Sequence, residues 1–174
     1  MRKLFIFLFI LISFCLNAQT KGTFIDNRDN KTYKWIKIGE QTWMAENLKY
    51  NDTIFYNCEQ TDKKNDTSKL MVKCPDGWHI PSVAEWTVLI NKVGRTTASA
   101  TLRDKNGFNA ILNGRYNFDQ KSVENKGTHA YFWSSTERDI YSIWAFFIYG
   151  SAPSPSKIDG DRRNGLSIRC VKDK

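Results

Sequence analysis

One segment of the chain carries a complete set of helix signals, and it limits what the surrounding residues can form. Residues 77–90 read GWHIPSVAEWTVLI. Ser82 and Glu85 have the spacing of a capping box, in which the serine oxygen accepts from a helical amide and the glutamate reaches back to the amide of the cap. Four apolar residues then recur at spacings of three and four: Trp86, Leu89, Ile90 and Val93. With Gly94 as a stop signal, the pattern predicts an amphipathic helix from Ser82 to Val93.

The remaining segments are short and β-like. Those with strand character are 32–38, 41–48, 108–117, 130–137, 141–149 and 166–172. Polar stretches between them predict loops and turns, chiefly at 49–73, 151–156 and 159–165. Residues 141–149, YSIWAFFIY, are apolar on both faces, which predicts a central, buried strand. One helix, with room for a second, among several short strands predicts an α+β domain.

The N-terminus has the pattern of a secretory signal. In MRKLFIFLFILISFCLNAQT, two basic residues precede an apolar run too short to span a bilayer, and Ala18 is a small residue at a cleavage position. We predict a signal peptide at residues 1–18 and one exported domain at 19–174, with no membrane span after cleavage. A lipoprotein anchored through Cys15 is the less favoured alternative, because bulky Phe14 stands where a small residue is expected.

The charge balance argues against a nucleic-acid partner. The chain has 26 Lys and Arg against 18 Asp and Glu, a net charge of +8, and loss of two basic residues with the signal lowers it to +6. The basic residues are scattered and mixed with acids rather than clustered along one face. This balance predicts a soluble cationic surface.

The cysteines and acidic residues do not form a recognisable metal motif. Three cysteines remain after signal removal, and an odd number in an exported chain leaves one thiol unpaired: Cys58, Cys74 and Cys170. None has CxxC spacing, and both histidines lie elsewhere, which excludes a zinc site. Asp159 and Asp161 loosely resemble a calcium loop, but Arg163 occupies a ligand position and repels a cation. We expect no metal and no cofactor.

No catalytic group stands out either. His79 has no serine or cysteine nucleophile near it in a known arrangement, and Glu85 is used by the helix cap. Residues 133–137, WSSTE, lack the glycines of a nucleophile elbow. We therefore expect no catalytic residues.

Five segments in order carry a family resemblance: YKWIKIGEQTWMAENLKY at 33–50, CPDGWHIPSVAEWTVL at 74–89, FNAILNGRY at 108–116, FWSSTE at 132–137 and GLSIRCVKDK at 165–174. Together they resemble the Fibrobacter succinogenes major paralogous domain family, exported proteins common in Bacteroidetes and Fibrobacteres. Members often carry a Tyr-Gly-x-Leu-Tyr-Asn-Trp segment before the Cys-Pro-x-Gly-Trp motif, and residues 51–73 lack it here.

That family is similar in turn to the C-type-lectin-like fold of the sulfatase-modifying proteins. Ile80-Pro81 with Glu85-Trp86 match the helix start of those proteins, and residues 166–170 match their closing strand in part. The resemblance implies a lectin-like α+β domain. The cysteine pair that binds copper in the related oxidases has no counterpart here, which argues against that activity.

A lectin-like topology brings the two chain ends together, and this implies a disulfide between Cys74 and Cys170. The closed loop of nearly a hundred residues would stabilise the fold by roughly 3–5 kcal/mol. Pairing of Cys58 with Cys74 across the polar loop is the second-ranked alternative.

The leading hypothesis for function is a secreted or cell-surface binding module for a glycan, a cell-wall polymer or a protein. Loops on a rigid scaffold carry recognition, and the loops at 138–142 and 150–164 are the candidates. The residues predicted to contact the ligand are Arg138, Tyr141, Tyr149, Asp159, Asp161 and Arg162. The competing hypotheses are an envelope enzyme, which would need a deep pocket joining two of His79, Glu137 and Cys58, and a purely structural envelope protein.

Overall fold

A computed structural model describes residues 20–58 and 73–174. The predicted signal peptide and most of the polar stretch before Cys74 therefore lie outside the described residues. Within the described ranges, two short α-helices accompany ten short strands, so the α+β prediction is confirmed.

The helix predicted from the opening motif is confirmed. Helix α1 spans Val83–Val93 with Ser82 as its N-cap, and both bonds of the capping box are present. The Glu85 amide donates to Ser82 Oγ at 3.2 Å, and the Ser82 amide donates to Glu85 Oε2 at 2.8 Å. A second helix, α2, spans Ala98–Arg103, and it fills the room that the sequence leaves for a second helix.

The strands in the described part of the chain form three antiparallel sheets. Their bounds are β1 Lys21–Asp26, β2 Lys31–Ile38, β3 Gln41–Met44, β4 Trp78–His79, β5 Arg115–Asn117, β6 Ser122–Glu124, β7 His129–Glu137, β8 Ser142–Tyr149, β9 Ser156–Asp161 and β10 Val171–Lys172. The five-stranded sheet has the order β1-β2-β3-β10-β4, the second sheet pairs β5 with β6, and the third has the order β7-β8-β9. The first and last strands of the domain thus share one sheet.

Strand β8 is the central strand of its sheet, as its apolar sequence predicts. Its two faces contribute to two hydrophobic clusters: Phe146 and Ile148 pack with Trp86 of α1, whereas Ile143 and Ala145 pack with the cluster that contains Cys170. Trp86 lies 5.4 Å from Phe146 between ring centroids. Burial on both sides explains why this strand shows no polar alternation.

The segment from Gly165 to Asp173, called here the closing segment, does not form the regular strand predicted at 166–172. Only Val171–Lys172 is a regular strand, and the residues before it bond to several separate partners. Leu166 exchanges backbone bonds with Tyr56, Ser167 bonds with β7, and the Cys170 carbonyl accepts from the Met44 amide at 2.9 Å. Because the partners belong to different sheets, the segment joins them instead of extending one of them.

A second correction concerns residues 150–164, which the sequence predicts to be a loop and a polar turn. Residues Ser156–Asp161 form β9, which pairs with β8 along six residues of register. Half of its residues are exposed, and only Gly160 is buried. A polar edge strand lacks the apolar face that predicts a strand from sequence.

The predicted disulfide is present between Cys74 and Cys170, with a sequence separation of 96 residues. The alternative pairing of Cys58 with Cys74 is thereby excluded, and Cys58 holds a buried free thiol in the described part of the chain. Within residues 20–58 and 73–174, no helix has the length and apolarity needed to cross a membrane.

Removal of this bridge by a Cys74→Ala/Cys170→Ala variant should lower the free energy of unfolding by about 4–5 kcal/mol, because the bridge restricts a long loop in the unfolded chain. Urea unfolding of oxidised residues 19–174 measures the loss. Non-reducing peptide mapping of the unaltered protein, with a Cys58→Ala variant as control, should recover a peptide that links Cys74 to Cys170 in each of the two. A peptide that links Cys58 to Cys74 would contradict the pairing.

Candidate functional site

His79 lies between two carboxylates at the start of α1. Its Nδ1 is 2.6 Å from Asp173 Oδ1, and its Nε2 is 2.8 Å from Glu85 Oε1. Strand β4 positions the imidazole, β4 pairs with β10, and Asp173 follows directly after β10. These three side chains, His79, Glu85 and Asp173, are called here the His79 array. The array connects the end of the closing segment to the N-terminus of α1.

The titration of this array follows from its geometry. Partial burial disfavours the charged imidazolium and by itself would lower the pKa of His79. The hydrogen bonds with the carboxylates of Asp173 and Glu85 have the larger combined effect, and the pKa of His79 is raised. Burial would likewise raise the pKa of Glu85, yet its bonds with Ser82 and His79 lower it. Both pKa shifts favour the ion pair between protonated His79 and ionised Glu85.

The array does not include a nucleophile among the described residues. The Ser82 hydroxyl donates to Glu85 Oε2 at 2.8 Å and accepts from the Glu85 amide, so it is committed to the helix cap. No bond joins this hydroxyl to His79 in the described part of the chain. The arrangement is that of a structural ion pair.

The other two members of the hypothetical enzyme pocket, Cys58 and Glu137, are linked through Arg162. The Cys58 amide donates to the Arg162 carbonyl at 2.8 Å, and Arg162 Nη2 lies 3.2 Å from Glu137 Oε1. Burial raises the pKa of the Cys58 thiol above its ordinary value, which keeps the thiol protonated. The cleft described below is lined by none of these three residues, His79, Glu137 and Cys58.

Arg162 itself does not lie on the predicted contact surface. Its exposed fraction is only 5%, because the turn after β9 directs it inward towards Glu137 and the Asp139 carbonyl. The adjacent Arg163 is the arginine that reaches the surface. Sequence alone does not distinguish two consecutive arginines at the end of a strand.

Two of the predicted contact residues, Arg138 and Asp159, are in contact, and a third, Tyr141, lies at the tip of the same hairpin; the group is called here the hairpin patch. Arg138 forms an ion pair with Asp159 and lies 5.4 Å from the centroid of the Trp144 ring. Lys157 lies on the same ring, with Nζ 3.9 Å from its centroid. At the tip of this hairpin, Ile140 and Tyr141 are 70% and 77% exposed. The patch consists of Arg138, Ile140, Tyr141, Trp144, Lys157 and Asp159.

Tyr149 belongs to a different cluster. Its ring stacks on His129 at 4.6 Å between centroids, and His129 stacks on Tyr131 at 5.6 Å. Both partners lie on β7, which pairs directly with β8. Tyr149 therefore extends a row of rings at one end of the sheet and does not join the hairpin patch.

Asp161 orients an arginine that the prediction did not select. Arg163 Nη2 lies 2.6 Å from Asp161 Oδ2, and Arg163 Nη1 lies 2.8 Å from Asp119 Oδ1. Its guanidinium carbon is 5.4 Å from the centroid of the Phe118 ring. Two carboxylates and one aromatic ring thus hold Arg163 in a fixed orientation.

Arg163 stands at an open cleft of about 500 Å³, called here the rim cleft. Its lining combines aromatic and aliphatic side chains with hydrogen-bonding groups. The lining residues are Asp52, Ile54, Phe55, Asn57, Tyr116, Phe118, Arg163 and Gly165. Three segments that are distant in sequence meet here, and the closing segment supplies one of them.

Gly165 allows the two aromatic walls to approach each other. A Cβ atom at this position would lie 2.8 Å from Phe55 Cβ and 3.1 Å from Tyr116 Cβ. The backbone of Gly165 also exchanges two bonds with Tyr116, at 2.8 and 2.9 Å. Only glycine fits such a close contact without displacing a wall.

Sequence reasoning missed the aromatic residues of the rim cleft. One signal was present, since Tyr116 and Phe118 are two residues apart after the Asn113-Gly114 turn, and this spacing places both on one side of an extended segment. Their meeting with Phe55 depends on tertiary contacts. The structure describes no cluster of three or more metal-ligating side chains in residues 20–58 and 73–174.

The His79 array generates a pH-dependent prediction. A raised folded pKa means that His79 contributes stability below its ordinary pKa of 6.5 and loses that contribution as pH rises through the folded value. Glu85 must stay ionised, which sets a lower limit near its ordinary pKa of 4.5. We expect His79→Gln to lower the free energy of unfolding by up to about 1 kcal/mol in this window and by less at pH 9.

His129→Gln is the matched control. Burial and the charge of Arg115 lower the pKa of His129, so that its contribution is present above its ordinary pKa and is lost as pH falls. Urea unfolding at pH 5.5 and pH 9 compares the two variants. Equal losses at both pH values for His79→Gln would contradict the ion-pair account.

The comparisons with known proteins identify a family. A protein-family model, the Fibrobacter succinogenes major domain, matches residues 51–172, which is more than half of the 174 residues. The matched range contains α1, both disulfide cysteines and every lining residue of the rim cleft, whereas the hairpin before residue 51 lies outside it. No curated protein and no solved structure matches the chain. The resemblance predicted from sequence is thereby confirmed, and the chain belongs to the Fibrobacter succinogenes major domain family.

Proposed function

We propose that this domain is an exported binding module that recognises a saccharide, as part of a glycan or cell-wall polymer, in the rim cleft. The observation that carries the proposal is the meeting of three aromatic rings with polar groups around an open cleft of about 500 Å³. Ligand sites combine apolar walls with a few placed polar groups in this way.

The walls suit a sugar ring. The C–H groups of a pyranose carry a slight positive charge, and the faces of Tyr116 and Phe118 carry the negative side of the aromatic quadrupole. Phe118 is 39% exposed although it is a large apolar residue, and Asn57 offers both a donor and an acceptor for hydroxyl groups. Together these groups would bind the C–H face of a sugar ring and the hydroxyl groups along its edge.

The cleft is held in shape before any ligand arrives. Arg163 is fixed by Asp119 and Asp161, and the Phe118 amide donates to Asn164 Oδ1 at 3.0 Å. Asp52 is paired with Lys31 at 2.8 Å. Preorganised side chains lower the entropic cost of binding.

Export and a lectin-like scaffold belong to the same proposal. The signal pattern of residues 1–18 and the Cys74–Cys170 bridge support an oxidising compartment outside the cytoplasm. The shared sheet of the first and last strands supports the lectin-like topology. We propose a non-enzymatic role, since His79 and Glu85 are accounted for by an ion pair and a helix cap.

Protein binding through the hairpin patch is a second candidate function. Ile140 and Tyr141 are the two most exposed large apolar side chains in the described part of the chain, and they are adjacent. Exposed apolar groups next to arginine and tryptophan are typical of protein interfaces.

The test is a glycan array of residues 19–174, followed by titration calorimetry with the strongest ligand. Phe118→Ala should weaken binding about fivefold to tenfold, because loss of one stacked ring costs about 1 kcal/mol. Point variants are needed because deletion of residues 150–164 would remove β9.

Two variants serve as controls. Val88→Ala removes an exposed apolar group of α1 outside the cleft, and Ile140→Ser/Tyr141→Ser alters only the hairpin patch. Both should bind the saccharide as the unaltered protein does. Full affinity in Phe118→Ala would refute the cleft, and loss of a protein partner only in the hairpin variant would favour the second candidate.

A further inference from the structure

The rim cleft has one positively charged side chain among its described lining residues, and most donors of that side chain are occupied. Arg163 Nη1 and Nη2 donate to the two carboxylate oxygens of Asp119 at 2.8 and 3.1 Å. Nε and Nη2 of the same guanidinium donate to Asp161 at 3.1 and 2.6 Å. A guanidinium has five N–H groups, and four of them thus have a partner within the protein.

The contact between Arg163 and Asp119 has the geometry of acid recognition. Arginine binds the carboxylate of a ligand most strongly through two parallel N–H groups, one for each oxygen. Nη1 and Nη2 of Arg163 form such a pair, but each of them donates to one oxygen of Asp119. A side chain of the protein therefore occupies the place that an acid group of a ligand would take.

The charges around Arg163 do not attract an anion. Asp119 and Asp161 each carry a negative charge against the single positive charge of Arg163, so the three side chains together have a formal charge of −1. The hydrogen bonds with Arg163 lower the pKa of Asp161, which keeps this carboxylate ionised at neutral pH. An acidic ligand would therefore meet like charge beside the one cation of the cleft.

Asp52 adds a carboxylate to the lining of the cleft. Its side chain is 93% exposed, and its Oδ1 accepts from Lys31 Nζ at 2.8 Å. This bond lowers the pKa of Asp52, and Lys31 itself does not line the cleft. Because an ionised carboxylate only accepts hydrogen bonds, Asp52 can pair with a sugar hydroxyl but not with an ionised acid group.

We infer that the rim cleft accepts an uncharged saccharide and excludes uronic acids and sulfated sugars, because Asp119 occupies the donors of Arg163 that would bind an acid group. The inference rests on the proposed saccharide-binding function and adds the chemical class of the ligand. Asp119 does not line the cleft. It is a specificity-determining residue that acts through Arg163.

A glycan array that carries neutral, uronic-acid-containing and sulfated oligosaccharides tests the ligand class, with residues 19–174 compared with their Phe118→Ala variant. Every glycan whose binding falls in Phe118→Ala should be uncharged. If no glycan loses binding in this variant, the proposed function fails and the inference fails with it. If the glycans that lose binding are acidic, the inference alone is overturned, because the cleft then binds a saccharide of the other class.

The comparison with Phe118→Ala is needed because the chain has a net charge of +8. Such a charge attracts acidic glycans to any part of the surface. Binding of that kind does not depend on Phe118, so it is the same in both proteins and cancels in the comparison. About 0.1 M salt, where the Debye length is about 10 Å, reduces it further.

Asp119→Ala and Glu40→Ala form a matched pair that tests the role of Asp119. Both remove one exposed carboxylate, but only Asp119 contacts Arg163 and lies in the turn after β5. Titration calorimetry compares the strongest neutral glycan of the array with the same glycan oxidised at C6 to a uronic acid. Asp119→Ala should raise the affinity for the oxidised glycan, relative to the neutral one, at least about fivefold, and Glu40→Ala less than about twofold.

The double variant Asp119→Ala/Arg163→Gln shows whether the gain comes from the released guanidinium. It should return the ratio of the two affinities to within about twofold of the unaltered protein, because the two freed N–H groups are gone. The inference is overturned by an unchanged ratio in Asp119→Ala, by equal gains in Asp119→Ala and Glu40→Ala, or by a gain that persists in the double variant.

Discussion

The buried guanidinium of Arg169 is the interaction on which the rest of the structure depends. Its side chain is fully buried, and it donates to the carbonyls of Met44, Phe108 and Asn109 and to Asn47 Oδ1. Its guanidinium carbon also lies 4.3 Å from the centroid of the Phe108 ring. Burial lowers its pKa to about 9, which still leaves the group charged at neutral pH. A charge without a carboxylate in its hydrogen-bonding shell is tolerated here because carbonyl dipoles and an aromatic face surround it.

Other residues of the closing segment, besides Arg169, hold further parts of the structure in place. Gly165 lines the rim cleft, Cys170 forms the disulfide and Asp173 contacts His79. The same segment contains Arg169, which joins the end of β3 to the loop at 108–109. The segment therefore links the core to the rim cleft and to the start of α1, which explains why it bonds with several sheets instead of extending one. Its role is to set the relative positions of segments that are far apart in sequence.

Features with a local cause could be predicted from the sequence, and features assembled from distant segments could not. The capping box at Ser82 and the two apolar faces of β8 depend on neighbouring residues alone, and both predictions are confirmed. Strand β9 escaped prediction because its exposed polar side chains resemble those of a turn. The burial of Arg162 beside the exposed Arg163 depends on the path of the chain after β9, and the rim cleft depends on three separate segments meeting. The disulfide was predictable only through the resemblance to a family with joined chain ends.

Equilibrium urea unfolding of Arg169→Met, with Arg95→Met as the exposed control, tests the central role of the buried guanidinium most directly. The methionine fills part of the volume but leaves several buried carbonyls without a donor, so we expect a loss of about 3–5 kcal/mol in the free energy of unfolding. The control should change it by less than about 0.5 kcal/mol. An Arg169→Met protein as stable as the unaltered one, or more stable, would show that the closing segment is held by its backbone and disulfide alone and would contradict this account.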